Sequence, residues 1–190
     1  VLDAVATTRG HYAYESGHHG DLWLDLDALF LDAARARPWA IALARQAAPC
    51  RPELICGPLT GGAFLAQAIA DEMACGFLYA ERLTSESGAV AYRIPSSLRE
   101  VPRGRRVLLV DDAVNAGSAW RASLADLLTC DAEVVGFAAL LTLGDAAAAI
   151  AERHGAPLYA LASLERHLWT PGDCPLCASR TPLDEPAVRS

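Results

Sequence analysis

Two adjacent carboxylates, Asp111 and Asp112, close the apolar run Val107 to Val110 and precede a small-residue stretch, Asn115 to Ala119, that opens a helix. An acid pair can accept hydrogen bonds from vicinal hydroxyls, and a loop at the carboxyl end of a parallel strand faces the crevice where open α/β sheets bind ligands. Ala116, Gly117 and Ser118 let backbone N–H groups approach an anion, while the helix start adds its dipole and unpaired donors. Diol-binding acids beside a phosphate cradle describe a site for a sugar phosphate. A solvated acid pair next to a helix cap would need no ligand, but acids at a strand end with a small-residue loop at fixed spacing are harder to obtain by chance.

The elements that must hold this stretch follow from periodicity. Leu54 to Cys56 reads as a strand, followed by Gly57 to Gly62 and a helical stretch from Ala63 to Ala74. Gly76 to Ala80 is the next strand, Val107 to Val110 another, with a helix running on through Leu128. Val134 to Leu141, a helix from Ala146 to His154 ended by Gly155, and a strand from Pro157 to Leu161 complete the alternation. Strand, loop and helix in this order predict an α/β domain with a parallel sheet. Upstream, Tyr12 to Leu24 alternates like a hairpin, and Leu26 to Ala48 reads as helical with a break at Pro38. Leu83 to Gly104 shows little periodicity and exceeds an ordinary connection, which predicts a lid. The tail from Thr170 to Ser190 is expected along the surface.

With 190 residues, 53 % of them hydrophobic, the chain has enough apolar material for one core without disulfide staples. Its net charge of −7 supplies no general attraction to nucleic acid or to an anionic membrane. The apolar stretch from Val134 to Ile150, interrupted by Gly136, Gly144 and Asp145, falls short of a bilayer span. The amino end lacks the pattern of a secretory leader, so a cytoplasmic address is expected. All sixteen basic residues are arginines, which excludes any step that needs a titrating amine. The six cysteines are expected as reduced thiols. Cys174-Pro175-Leu176-Cys177 is half of a zinc ribbon or a redox pair, leaving intersubunit zinc and an incidental thiol pair both open. His11, His18 and His19 are read as surface or hydrogen-bonded residues of the hairpin rather than metal ligands. The four tryptophans are expected in the core or at a dimer contact, with Trp120, just after the phosphate loop, the one that could stack a base.

VLLVDDAVNAGSA, Val107 to Ala119, resembles the phosphoribosyl diphosphate signature of type I phosphoribosyltransferases, with Asn115 where that family usually has threonine. GHYAYESGHHGDLW, Gly10 to Trp23, is similar to the amino-terminal hood of orotate phosphoribosyltransferases. ICGPLTGGAFLAQAIA, Ile55 to Ala70, resembles their diphosphate-loop strand and helix, FLYAER their strand into the mobile loop, and DCPLC the tail of one subgroup. The resemblance implies a type I phosphoribosyltransferase-like parallel sheet flanked by helices, in a single domain over 1–190 with a hood at 1–26 and a surface tail at 170–190. It implies transfer of the phosphoribosyl group of phosphoribosyl diphosphate to a heterocyclic base, orotate first, with release of diphosphate. Asp111 and Asp112 would hold the ribose hydroxyls, Asn115, Ala116, Gly117, Ser118 and Ala119 the 5′-phosphate, and Thr60, Gly61 and Gly62 the diphosphate. Mg2+ is implied as cofactor, held chiefly through substrate oxygens with no direct protein ligand, and a homodimer is implied as the assembly.

The chain departs from that family at its cations. The orotate enzymes carry lysines after the FLYAER strand and on the loop; here Arg82 and Arg93 stand as the candidate catalytic cations, with Arg99 as a further lid charge, and none can donate a proton as lysine does. Thr142 and Leu143 replace an Asp-Arg pair whose arginine grips orotate. Two other readings therefore stay open: transfer to another base, and a sensor that binds phosphoribosyl diphosphate without turnover.

Overall fold

The structure, a computed structural model, describes residues 6–14, 16–85, 88–165 and 167–185. The first five residues of the amino end read for a leader, the last five residues of the tail, and positions 15, 86, 87 and 166 lie outside the described residues.

The described residues form nine strands and six α-helices. Strands β1 (Ala6–Ala13) and β2 (His19–Asp25) make the expected hairpin, and helices α1 (Asp27–Phe30) and α2 (Ala33–Ala47) follow. Then come β3 (Leu54–Pro58), α3 (Gly61–Met73), β4 (Gly76–Thr84), β5 (Val90–Arg93), β6 (Arg106–Val114), α4 (Ser118–Thr129) and β7 (Glu133–Leu143). The chain continues through α5 (Ala146–His154), β8 (Leu158–Leu164), β9 (Leu168–Trp169) and α6 (Pro175–Ala178).

The main sheet runs β5-β4-β3-β6-β7-β8, parallel except for β5, which pairs antiparallel to β4 at the edge. Its central strands alternate between two cores, as a period of two requires. Leu54, Cys56, Val107 and Leu109 face Trp120, Leu127 and Phe137 on the α4–α5 side. Ile55, Leu108 and Val110 face Leu43, Leu65 and Ile69 on the α2–α3 side. From β3 the chain crosses to β4 on one side, whereas from β6 it crosses to β7 on the other, so the strand order reverses between β3 and β6. That is the topological switch point where open α/β sheets carry ligands beyond the strands' carboxyl ends. The hood sheet, β1-β2-β9, rests over that end of the main sheet, with Leu22 buried against Leu141 and Leu143. The hood gives this contact two leucines, Leu22 and the partly buried Leu24, and burial of one leucine contributes about 2 kcal/mol, so the apolar attachment is thin next to the two main cores.

Two expectations are corrected and one is refined. The helical break falls at Leu31–Asp32, not at Pro38: Asp32 turns extended (φ −132°, ψ 115°) and its carboxylate caps Ala34 N at 2.9 Å. The buried stripe Ala36, Ala40, Leu43, Ala44, Ala47 continues past Pro38, which faces solvent, where water can satisfy the carbonyl that loses its donor. The connection, aperiodic in sequence, is ordered in part. It contains β5, and Tyr92 and Ile94 are buried in the α4–α5 core. Asp126 of α4 accepts from Ile94 N at 2.8 Å and from Arg99 at 2.9 Å, which commits Arg99 to anchoring the connection. Trp120 is fully buried, its ring centroid 5.2 Å from that of Phe137, so it offers no face for stacking a base. No helix among the described residues is long and apolar enough to cross a membrane.

Candidate active site

Strand β6 runs four residues further than its apolar stretch suggests, so Asp111 and Asp112 lie within it, Asp111 level with Ala139 of β7. Neighbouring side chains on a strand point to opposite faces, and both acids meet the turn from β3 into α3. An ideal Cβ at Gly61 would stand 2.1 Å from Asp112 Oδ2, and one at Gly62 would stand 2.5 Å from Asp111 Oδ1. Only hydrogen fits at either place. Gly57 allows the turn to fold this tightly, since a Cβ there would meet the Gly62 carbonyl oxygen at 2.1 Å. The Leu59–Thr60 peptide within the turn is cis.

The two acids differ in burial. Asp111 is buried and Asp112 half-buried. Burial first, then the neighbouring charge of Asp112, pushes the Asp111 carboxyl well above the ordinary carboxylate range, although Asp112 N donates to its Oδ1 at 3.1 Å. Asp112 Oδ1 accepts from Ala113 N at 2.8 Å. The pair thus offers a carboxyl biased toward its protonated form, able to donate or accept, beside a half-exposed carboxylate that accepts.

After Val114 the chain turns through Asn115 and Ala116 to Gly117, which caps α4 at φ 72°. This wall faces the hood across a cleft of about 270 Å3, lined by Asp111, by residues 113–120, and by Ala13, Tyr14, Ser16 and Trp23. Asn115 Oδ1 and Ser16 Oγ are buried at its margin without a hydrogen-bond partner among the described residues. The rings of Tyr14 and Trp23 lie nearly parallel, 8° apart in plane with centroids 6.4 Å apart, and Tyr14 Oη donates to the Leu22 carbonyl.

The structure thus brings together Asp111, Asn115, Ala116, Gly117, Ser118 and Ala119 around one cleft, with Asp112, Gly61 and Gly62 packed at its edge and Thr60 directly before them as the α3 N-cap. It does not bring Arg82 and Arg93 there. Both are exposed on the β4–β5 hairpin, Arg82 level with Tyr92 and Arg93 with Glu81, and Arg82 donates to Thr84 Oγ1 at 3.0 Å. Thr142 and Leu143 are buried within β7 and bring no charge to the cleft. The hood residues Tyr14, Ser16 and Trp23 were not singled out as cleft residues from the sequence. Their only signal is the Ser-Gly pair after an aromatic strand, which does not say which side chains turn inward.

Residues 30–159 match the phosphoribosyl transferase domain family. Among proteins of known name, the chain is 26 % identical over 181 residues to orotate phosphoribosyltransferase of Caldanaerobacter subterraneus subsp. tengcongensis, covering 95 % of this chain and 90 % of that protein. Among solved structures it resembles orotate phosphoribosyltransferase from Aeropyrum pernix, with a TM-score of 0.67, 24 % identity, and coverage of 85 % of this chain and 89 % of that one. It also shares the fold of the Mycobacterium tuberculosis H37Rv orotate phosphoribosyltransferase in complex with 5-phospho-alpha-D-ribosyl 1-diphosphate, with a TM-score of 0.58, 19 % identity, and coverage of 75 % and 81 %.

Proposed function

The chain belongs to the phosphoribosyl transferase domain family, and from that premise we propose that it transfers the phosphoribosyl group of phosphoribosyl diphosphate to orotate, releasing diphosphate. The observation that carries the reading is the interlock of Asp111 and Asp112 with Gly62 and Gly61 at the switch point, beside the 115–119 loop. Similarity to orotate phosphoribosyltransferases over 95 % of the chain supports the choice of base.

In this reading the 5′-phosphate lies on the backbone N–H groups of 115–119 and the start of α4. Asp112 accepts from a ribose hydroxyl, and Asp111, biased toward its protonated form, shares a hydrogen bond with the other. The N–H groups at Thr60, Gly61 and Gly62 meet the diphosphate. The C1–diphosphate bond breaks with its electron pair on the leaving oxygen, a base nitrogen forms the new bond to C1, and positive charge develops on the sugar between those events, as in glycoside cleavage. A carboxylate at Asp112 would favour that charge. The Tyr14–Trp23 pair roofs the cleft and gives a planar base a flat wall. Arg82 and Arg93, outside the cleft wall, supply cations for the diphosphate from the β4–β5 hairpin. Mg2+ would suit the oxygen donors here: Asp112 would hold it through water or substrate oxygens, and the bound ion would offset diphosphate charge. A homodimer completes the reading.

One feature favours a second reading, the non-catalytic sensor: no lysine is available to protonate diphosphate. Both are tested by incubating the protein with phosphoribosyl diphosphate, Mg2+ and orotate or a panel of other bases. Diphosphate release with orotate is expected. Binding by calorimetry without release on any base would favour the sensor, and absence of binding would overturn the site.

A further inference from the structure

A second cluster of chemistry-bearing residues lies behind the hood. His11 of β1, His19 of β2, and Cys174 and Cys177 from the tail bring one ligand atom each to within 4.8 Å of all the others. The geometry points to a structural zinc site with a Cys2His2 donor set, contained within one chain and fastening the tail to the hood.

Four of the six donor separations lie close to those around a tetrahedral ion. Zn–S bonds of about 2.3 Å and Zn–N bonds of about 2.05 Å place N and S donors about 3.5 Å apart and two N donors about 3.3 Å apart. His11 Nε2 is 3.4 Å from Cys174 Sγ and 3.6 Å from Cys177 Sγ; His19 Nδ1 is 3.2 Å from Cys177 Sγ; the two ring nitrogens are 3.0 Å apart. His11 is oriented as a ligand by its other nitrogen. Nδ1 lies 2.8 Å from the Thr181 carbonyl oxygen, which can only accept, so Nδ1 carries the proton and the Nε2 lone pair faces the cluster.

The backbone is also arranged for this. Consecutive strand residues should face opposite sides, yet His11 and Tyr12 are both buried, at 1 % and 4 % exposure. The β1–β2 register shifts between Arg9 and Tyr12, and such a bulge re-aims a side chain, here turning His11 inward. The tail closes on the same strand: Asp184 Oδ2 accepts from His11 N at 2.8 Å, and Asp184 N donates to His11 O at 2.7 Å. Cys174 and Cys177 flank one turn, with Ala178 N donating to Cys174 O at 3.0 Å. Two thiolates and two imidazoles, one of them fully enclosed, suit zinc and leave no position open for substrate, which makes the site structural. Its place in the fold gives it a task. The same hairpin carries Tyr14, Ser16 and Trp23 into the cleft, and its apolar attachment is thin.

The test uses tag-free protein of this sequence purified under reducing conditions. Elemental analysis should find about one zinc per chain, and Co2+ exchange should give the intense absorption of a tetrahedral ion with a thiolate charge-transfer band sized for two sulfurs. Cys177→Ser and Cys174→Ser should lower retained zinc about tenfold or more, with a lower melting temperature, whereas Cys75→Ser should retain it. The inference is overturned by wild-type protein without zinc, by a Cys174–Cys177 disulfide in its place, by one zinc per two chains, by an octahedral Co2+ spectrum, or by undiminished zinc in both cysteine variants. The wild-type spectrum keeps the test decisive should a variant fail to fold.

Discussion

Gly61→Ala separates the roles of the acid pair in binding and in folding. The added Cβ would stand 2.1 Å from Asp112 Oδ2 and 2.6 Å from its Cγ, so restoring ordinary contact near 3.4 Å displaces that carboxylate by about 1.3 Å. Asp112 Oδ1 is tethered to Ala113 N at 2.8 Å, so the displacement also strains that bond. A misplacement of about 1 Å at a reacting centre costs on the order of 100-fold in rate, and we expect kcat/KM to fall by about that factor, equivalent to about 2.7 kcal/mol. The fold should survive. Gly61 does not use the left-handed region, and alanine in a helix gains about 0.5–1 kcal/mol over glycine, which partly offsets the displacement. Thermal melting, calorimetry with phosphoribosyl diphosphate and a diphosphate-release assay supply the readouts. Asp112→Asn should lower affinity about 10- to 100-fold by removing a charge-assisted acceptor, and combining it with Gly61→Ala should add little, because both act through one carboxylate. Wild-type binding and turnover in a folded Gly61→Ala protein would refute the sugar grip assigned to the pair.

Asp111→Asn should trade function for stability. The folded carboxyl holds its proton more tightly than the unfolded one, so native stability is fully present below about pH 3.8 and is lost as pH rises through the elevated folded value. The variant's gain in melting temperature should be absent at acid pH, grow through that window and then level off, while affinity for phosphoribosyl diphosphate falls; no gain at neutral pH would contradict the cost assigned to burial. Asp126→Ala should remove the acceptor for the buried Ile94 N, costing about 1–3 kcal/mol, and open the backbone at Arg93 and Arg99 to trypsin. Unchanged cleavage rates would show that Asp126 does not hold the connection.

What was legible in the sequence depended on how local its cause was. The strands at Leu54, Gly76, Val107 and Val134 and the α5 helix were readable because a buried strand is a continuous apolar run and Gly155 ends α5 with φ 74°. The cleft loop was readable because its acids, small residues and helix start are consecutive. Long-range causes were not. Asp126 sits mid-helix and gives no sign that it holds Ile94 and Arg99, so the segment after β4 looked aperiodic although Tyr92 and Ile94 are core residues. Pro38 looked like a break because local propensity cannot register the stripe of alanines and leucine that carries α2 past it. The histidine–cysteine cluster is the extreme case. Cys174-X-X-Cys177 lacked a second pair because that pair consists of histidines separated from Cys174 by most of the chain, one of them turned inward by a bulge that alternation alone would place facing out. The same bulged hairpin roofs the cleft, so the residues that escape a linear reading also set the shape of the site that a linear reading finds.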